Sequence, residues 1–353
     1  MGIQNKYALF GLLLLFFIVS MGGVEAHTKW FVPFDIKTAP MPIDKVLTKT
    51  FVYSFLIAIA LIYSFFLFDR TIYKKNYFSY LDDKLKTFDS FSLYLIRFFS
   101  GLFFVSLWIY YQITGNTFFI TSELKTKQVF IPWLQLLIGL FALSSYTTPL
   151  IGVGFIFLYA EAVYYYGIFH LLDYLLFLGI AYFLIVSNCK RKSWKTSGFV
   201  VLYALTGISL LWVAMEKLVF PFWSYELLAQ RPNLTMGLPN YNFILIAGFI
   251  EFSLIFVLLS STSIVGRFVA FGLEIVFILA IIPFGIIDAL GHTMIIAILL
   301  VLILRGPTEA RDILALNEKS VFVEAYFMTA LYVLSLAMFF IAYYGLHYLI
   351  YNN

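Results

Sequence analysis

The chain has 353 residues, of which 62% are hydrophobic and 12% charged, with a formal net charge of +4. A soluble domain carries about 25% charged residues, so this composition excludes an ordinary soluble enzyme or nucleic-acid-binding module and indicates a multi-pass membrane protein in a lipid bilayer. A single cysteine, Cys189, excludes an intramolecular disulfide and a two-thiol redox pair.

Residues 1–26 read as a secretory signal peptide. Lys6 supplies the positive end, Ala8 to Ser20 the apolar stretch, and Val24-Glu25-Ala26 the cleavage position. Cleavage there leaves His27 as the mature N-terminus. An external segment, 27–50, follows, with Lys29, Lys37, Lys45 and Lys49 partly balanced by Asp35 and Asp44. The first transmembrane helix is expected over 51–68 and a basic loop over 69–90. A four-span unit then covers 91–187, with its second span expected over 131–146. Loop 188–198 leads to a second four-span unit, 199–304. Loop 305–323 precedes a last transmembrane helix within 324–353. The expected fold is therefore all-α, a polytopic bundle of about ten transmembrane helices, each near the length that spans a bilayer. The longer connections, 114–130 and 221–241, are lids at most.

Basic residues set the direction. Arg70, Lys74, Lys75, Lys84 and Lys86 lie in one loop, Lys190, Arg191, Lys192 and Lys195 in another, and Arg305, Arg311 and Lys319 in a third, with Arg267 at a fourth turn. The positive-inside rule puts these in the cytoplasm, both mature termini outside, and the protein in a bacterial inner membrane. Both four-span units then start and end inside, as parallel repeats do. Their spacing agrees. Gln135 precedes Ser144 and Ser145 as Glu251 precedes Ser260 and Ser261, and Glu161 precedes Asp173 much as Glu274 precedes Asp288.

Carboxylates inside apolar segments are costly and mark a partner, a cavity or a pathway. The candidates for ligand or proton handling are Glu161, Asp173, Glu216, Glu251, Glu274 and Asp288, together with Lys217. Glu216 and Lys217 are adjacent near an outer helix end, where they can equally form an interfacial pair. The four histidines, His27, His170, His292 and His347, all fall toward the external side. His170 shares a helix face with Asp173, and His292 with Asp288. Imidazole beside carboxylate can bind a transition metal or move protons, which makes His27, His170 and His292 candidate metal ligands. No glycine-rich phosphate loop, nucleophile elbow or haem attachment motif occurs.

Gly207, the run Trp212-Val213-Ala214-Met215-Glu216-Lys217-Leu218, Glu251, the stretch Gly266 to Glu274, and Asp288-Ala289-Leu290-Gly291-His292 resemble the DoxX family of four-span membrane proteins. The first unit is a divergent copy, with Tyr110 and Tyr111 at the places of Glu216 and Lys217, and Gln135 at that of Glu251. The resemblance covers about 210 residues. It implies a membrane subunit, rather than a complete enzyme, of a quinone- or proton-linked redox or envelope system with partner proteins. A transporter of a cation or small solute, and a non-catalytic membrane scaffold, fit the same residues. The sequence does not identify a cofactor; a quinone or a transition metal is compatible with these residues. The second unit, richer in carboxylates, is expected to carry the site.

Overall fold

The computed structural model describes residues 28–306 and 320–351. The expected signal peptide, His27 and most of the loop 305–323 lie outside the described residues. Long apolar runs form helices because a helix satisfies its own backbone where water is absent. Ten principal helices result: α1 (Lys49–Lys74), α2 (Ser92–Thr114), α3 (Phe130–Phe141), α4 (Thr148–Tyr166), α5 (Leu175–Val186), α6 (Lys192–Val219), α7 (Asn240–Ser260), α8 (Val265–Phe284), α9 (Ile286–Arg305) and α10 (Val321–Tyr351). Among the described residues, nine helical stretches are long and apolar enough to cross a membrane. Short helical turns, Ile168–Leu171 and Leu172–Tyr174, lead directly into α5 and complete its crossing.

The exception is α3. It is 12 residues long, about 18 Å, short of a hydrocarbon core of about 30 Å. Its helix stops before Ser144-Ser145, and the Thr147 hydroxyl donates to the carbonyls of Phe141 (2.6 Å) and Ser144 (3.0 Å). The hydroxyl bonds satisfy carbonyls that the next helical turn would have used.

Neighbouring helices follow one order in both halves of the chain. α2 packs on α3, α3 on α4, and α4 on α5; α6 packs on α7, α7 on α8, and α8 on α9. α5 also packs on α6 and α9 on α2, which closes the eight helices into a ring. Small residues permit the tight crossings. A Cβ at Gly101 would sit 2.6 Å from the Ala142 Cβ, and one at Gly139 would sit 3.3 Å from the Gly101 carbonyl. α1 and α10 pair with each other and lie against α7.

The basic turns gather at one end of this bundle. There Asp69 of α1 fills the turn between α7 and α8. It accepts from the hydroxyls of Ser261 (2.6 Å), Thr262 (3.0 Å) and Ser263 (2.6 Å), and from the backbone N–H groups of Thr262 (3.0 Å) and Ser263 (3.1 Å). Arg70 donates to Thr262 and lies 3.7 Å from Glu324 of α10. Arg267 donates to the last carbonyls of α9, at Ile303 (2.5 Å), Leu304 (2.6 Å) and Arg305 (3.0 Å), and pairs with Asp82 at 2.8 Å. A guanidinium is suited to this role, with several fixed donors and a charge that favours a helix C-terminus.

The opposite end is covered by the segment 28–48 and by two lids. One lid contains a hairpin of β1 (Thr117–Phe118) and β2 (Lys125–Thr126), which sequence reading did not anticipate. Gln135 is its anchor and donates to the carbonyls of Phe118 (2.7 Å) and Phe119 (3.0 Å). The expected counterpart of Glu251 thus holds a lid in place. Gln135→Ala should remove both bonds from a buried site and lower stability by about 1–3 kcal/mol. A thermal midpoint in detergent equal to that of the unaltered protein would contradict this role.

Candidate functional site

The site lies at the end opposite the basic turns, where the N-terminal segment folds back into the ring. Thr28–Trp30 form a single 3-10 turn, and all three residues are buried. The Thr28 and Ser224 hydroxyls are 3.0 Å apart. Further along, Met41 donates its N–H to the Val219 carbonyl at 3.0 Å. From α10, Tyr344 donates to the Met41 carbonyl (2.6 Å), and His347 Nε2 donates to that of Ile36 (3.1 Å). A segment expected as an external loop is therefore tied to both α6 and α10.

Lys29 is the centre of the arrangement and is 4% exposed. Its ammonium donates to Asp173 at 2.5 Å and to Glu216. It also lies 5.2 Å from the ring centres of Phe34 and Trp223, within cation–π range. Tyr343 of α10 donates to the same Glu216 oxygen at 3.0 Å. Burial alone lowers the Lys29 pKa, but Asp173, Glu216 and Glu123 outweigh it, and the pKa stands above the ordinary lysine value. A raised folded pKa means that the ammonium's contribution to stability is fully present below the unfolded lysine range and is lost only as pH rises through the higher folded value. Lys29 stays charged at neutral pH. Its burial among carboxyl groups sets it apart from the solvated positive charge expected of it in an external segment.

Asp173 and His170 come from the irregular stretch between α4 and α5. Gly167, with φ +83°, ends α4 and turns the chain. His170 Nε2 is 2.7 Å from Glu123 Oε1 in the first lid, and Tyr174 donates to that same oxygen at 2.6 Å. Trp30 donates to the Tyr174 hydroxyl at 3.0 Å. Its ring lies 5.0 Å from that of His292, and a Cβ at Gly291 would collide with it. Gly291 is thus needed for the close approach of Trp30.

Below Trp30 lies a cavity of about 80 Å³. Its walls are mainly apolar, including Phe177, Leu210, Ile255, Leu273 and Phe277, while Asp173, Lys217, Glu251 and His292 contribute polar groups. Lys217 donates to Glu251 at 2.8 Å. His292 Nδ1 is 3.0 Å from Asp288 Oδ2.

No protein-family model, curated protein or solved structure matches this chain. The site therefore stands on its own geometry.

Several expectations need correction. Glu216 and Lys217 do not pair with each other, because consecutive helical residues point in different directions. Glu216 turns to Lys29 and Lys217 to Glu251, both on buried faces. Glu251, without a basic neighbour in sequence, acquires one across the α6–α7 contact. Glu161 is half-buried and associates with Gln128 at 3.5 Å. Glu274 is buried on α8, and its Oε2 has no hydrogen-bond partner among the described residues; the same holds for Asp288 Oδ1. His170 and His292 have different carboxylate partners, Glu123 and Asp288. The candidate metal ligand His27 lies outside the described residues. The second unit does not carry the site alone, since Glu123, His170 and Asp173 come from the first.

Sequence reading missed Lys29, Trp30, Glu123, Tyr174, Trp223 and Tyr343 as members. The one available signal was Lys29 itself, which directly precedes the apolar run Trp30-Phe31-Val32-Pro33-Phe34. The Lys217–Glu251 pair has a direct test. Lys217→Met or Glu251→Leu alone should cost about 3–5 kcal/mol, since each leaves a charge with little water around it, whereas the double variant should recover most of the loss. Additive losses in thermal unfolding would show that the two charges are independent.

Proposed function

We propose that this chain is a DoxX-like membrane subunit of a redox or envelope system, whose chamber receives the polar head of a quinone-type ligand. The observation that supports this reading is the cavity itself, apolar on most of its wall and polar where Asp173, the Lys217–Glu251 pair and His292 meet. Ligand sites combine apolar walls with a few convergent polar groups in this way. Imidazole and ammonium can donate to quinone oxygens, and a carboxylate can take up or release the accompanying proton. A cavity of about 80 Å³ is smaller than the roughly 150 Å³ that admits a benzene ring. Entry of a quinone ring on this reading requires Trp30 to move aside, and the segment carrying it is not part of a membrane-spanning helix.

Organic extraction of the purified protein followed by mass spectrometry should recover a quinone. Titration with a short-chain quinone should quench tryptophan fluorescence saturably, and His292→Ala should weaken that binding about tenfold, as loss of a hydrogen bond to a buried ligand does. Absence of extracted quinone together with absence of saturable binding would overturn the proposal.

Proton-coupled transport is favoured by a separate observation, the buried carboxylate oxygens of Glu274 and Asp288 that lack partners among the described residues. Solute-dependent proton uptake by proteoliposomes, lost in Glu274→Gln, would establish that reading instead. In either case we place the basic end in the cytoplasm of a bacterial inner membrane. Reporter fusions after Leu85 and Ser193 should report cytoplasm, and a fusion after Asn353 the exterior. A cytoplasmic signal from the last would reject this orientation.

A further inference from the structure

We propose that Glu123, His170 and Asp173 form a binding site for a divalent first-row transition-metal ion, and that Lys29 is a built-in cation competing for it. One potential ligand atom from each of the three residues lies within 4.8 Å of the others. A tetrahedral zinc ion with bonds of about 2.1 Å holds its ligand atoms about 3.4 Å apart. His170 Nε2 and Glu123 Oε1, at 2.7 Å, are already closer than that. Small side-chain movements can therefore place an ion among all three. One imidazole and two carboxylates form an oxygen–nitrogen donor set suited to Zn²⁺ and its first-row neighbours, with no thiolate to favour a softer ion.

The backbone that carries two of the donors is also held in place. Tyr159 donates to the Leu171 carbonyl at 2.7 Å, and Ser209 donates to that of Asp173. These bonds fix the stretch that carries His170 and Asp173. The His170 ring is packed edge-on by Phe34 at 5.3 Å and Tyr166 at 5.6 Å.

Charge supplies an independent argument. Lys29 interacts electrostatically with three carboxylates, those of Asp173, Glu216 and Glu123. Their side chains are 0%, 8% and 2% exposed. Three carboxyl groups thus share a buried place with one ammonium, and an excess of buried acidic groups is stable only with protons or a bound cation beside it. A divalent ion can supply that charge. Asp173 is shared between the two cations, so strengthening one interaction weakens the other.

The test uses the full-length protein in detergent, treated with chelator and titrated with Zn²⁺ near neutral pH by calorimetry, with elemental analysis of the product. One Zn²⁺ per chain is expected. Glu123→Gln and His170→Gln should each weaken binding by about tenfold or more. Lys29→Met should tighten it by about tenfold, because a competing positive charge is removed, and Zn²⁺ should raise the thermal midpoint of this variant more than that of the unaltered protein. No stoichiometric Zn²⁺, which would mean that protons alone neutralise the cluster, overturns the proposal. So does unchanged affinity in both Glu123→Gln and His170→Gln. Should Lys29→Met not fold, those two variants decide the matter. If it folds with unchanged affinity, the competing role of Lys29 is rejected.

Discussion

Lys29→Ala is expected to lower the stability of the protein by about 3–5 kcal/mol, the usual consequence of removing one partner from a buried ion pair. The ammonium is bound by Asp173 and Glu216 and flanked by two aromatic rings. Alanine leaves two buried carboxyl groups without the ammonium that lies between them, while Tyr343 still donates to Glu216. Part of the loss comes from the four-carbon stem, which packs among buried side chains. Lys29→Met retains much of that packing and isolates the charge. Adding Asp173→Asn and Glu216→Gln to Lys29→Met should recover much of the loss, because the uncompensated charges disappear together. Thermal or denaturant unfolding in detergent reads all of these. A Lys29→Ala midpoint equal to that of the unaltered protein would show that the N-terminal segment is not held by this contact.

Asp69→Ala at the basic end should cost a similar amount, again about 3–5 kcal/mol. One carboxylate receives five hydrogen bonds from Ser261, Thr262 and Ser263. Two of these come from backbone N–H groups in the turn just before α8. Alanine orphans these donors and leaves Arg70, which is 1% exposed, without the carboxylate 3.7 Å away. Asp69→Asn keeps one acceptor oxygen and should show an intermediate loss. Faster proteolysis within 260–264 in Asp69→Ala would report release of the turn from α1. Unfolding and proteolysis rates that both stay unchanged would contradict the latch.

Lys29 and Asp69 act at opposite ends of the bundle in the same physical way. α1 and the segment before it pack on the bundle through apolar residues such as Phe51, Ile62 and Phe66, and buried polar contacts at both ends add fixed partners to that packing. Hydrophobic burial gives little preference between helix–helix and helix–lipid contact in a bilayer. Buried polar groups that must find partners can therefore specify where each flanking element sits.

The sequence by itself determined the class of the protein and most of its crossings. Apolar stretches of spanning length can satisfy their backbone in lipid only as helices or barrels, and these stretches lack the alternation of barrel strands. The basic turns could also be read directly, since charged loops lie outside hydrocarbon whatever the helices do. Asp288 and His292 were legible as a pair because four residues is a helical repeat. The partners of Glu216, Lys217 and Glu251 were not, because they depend on which helices meet. The α6–α7 contact decides that Lys217 faces Glu251. Ring closure and the lids decide that Asp173, Glu123 and Lys29 converge, from positions up to 144 residues apart. No periodicity encodes such contacts. The tertiary structure also turned Lys29 from an apparent loop charge into the centre of the site, since only the surrounding carboxylates show why an ammonium is stable at a buried position.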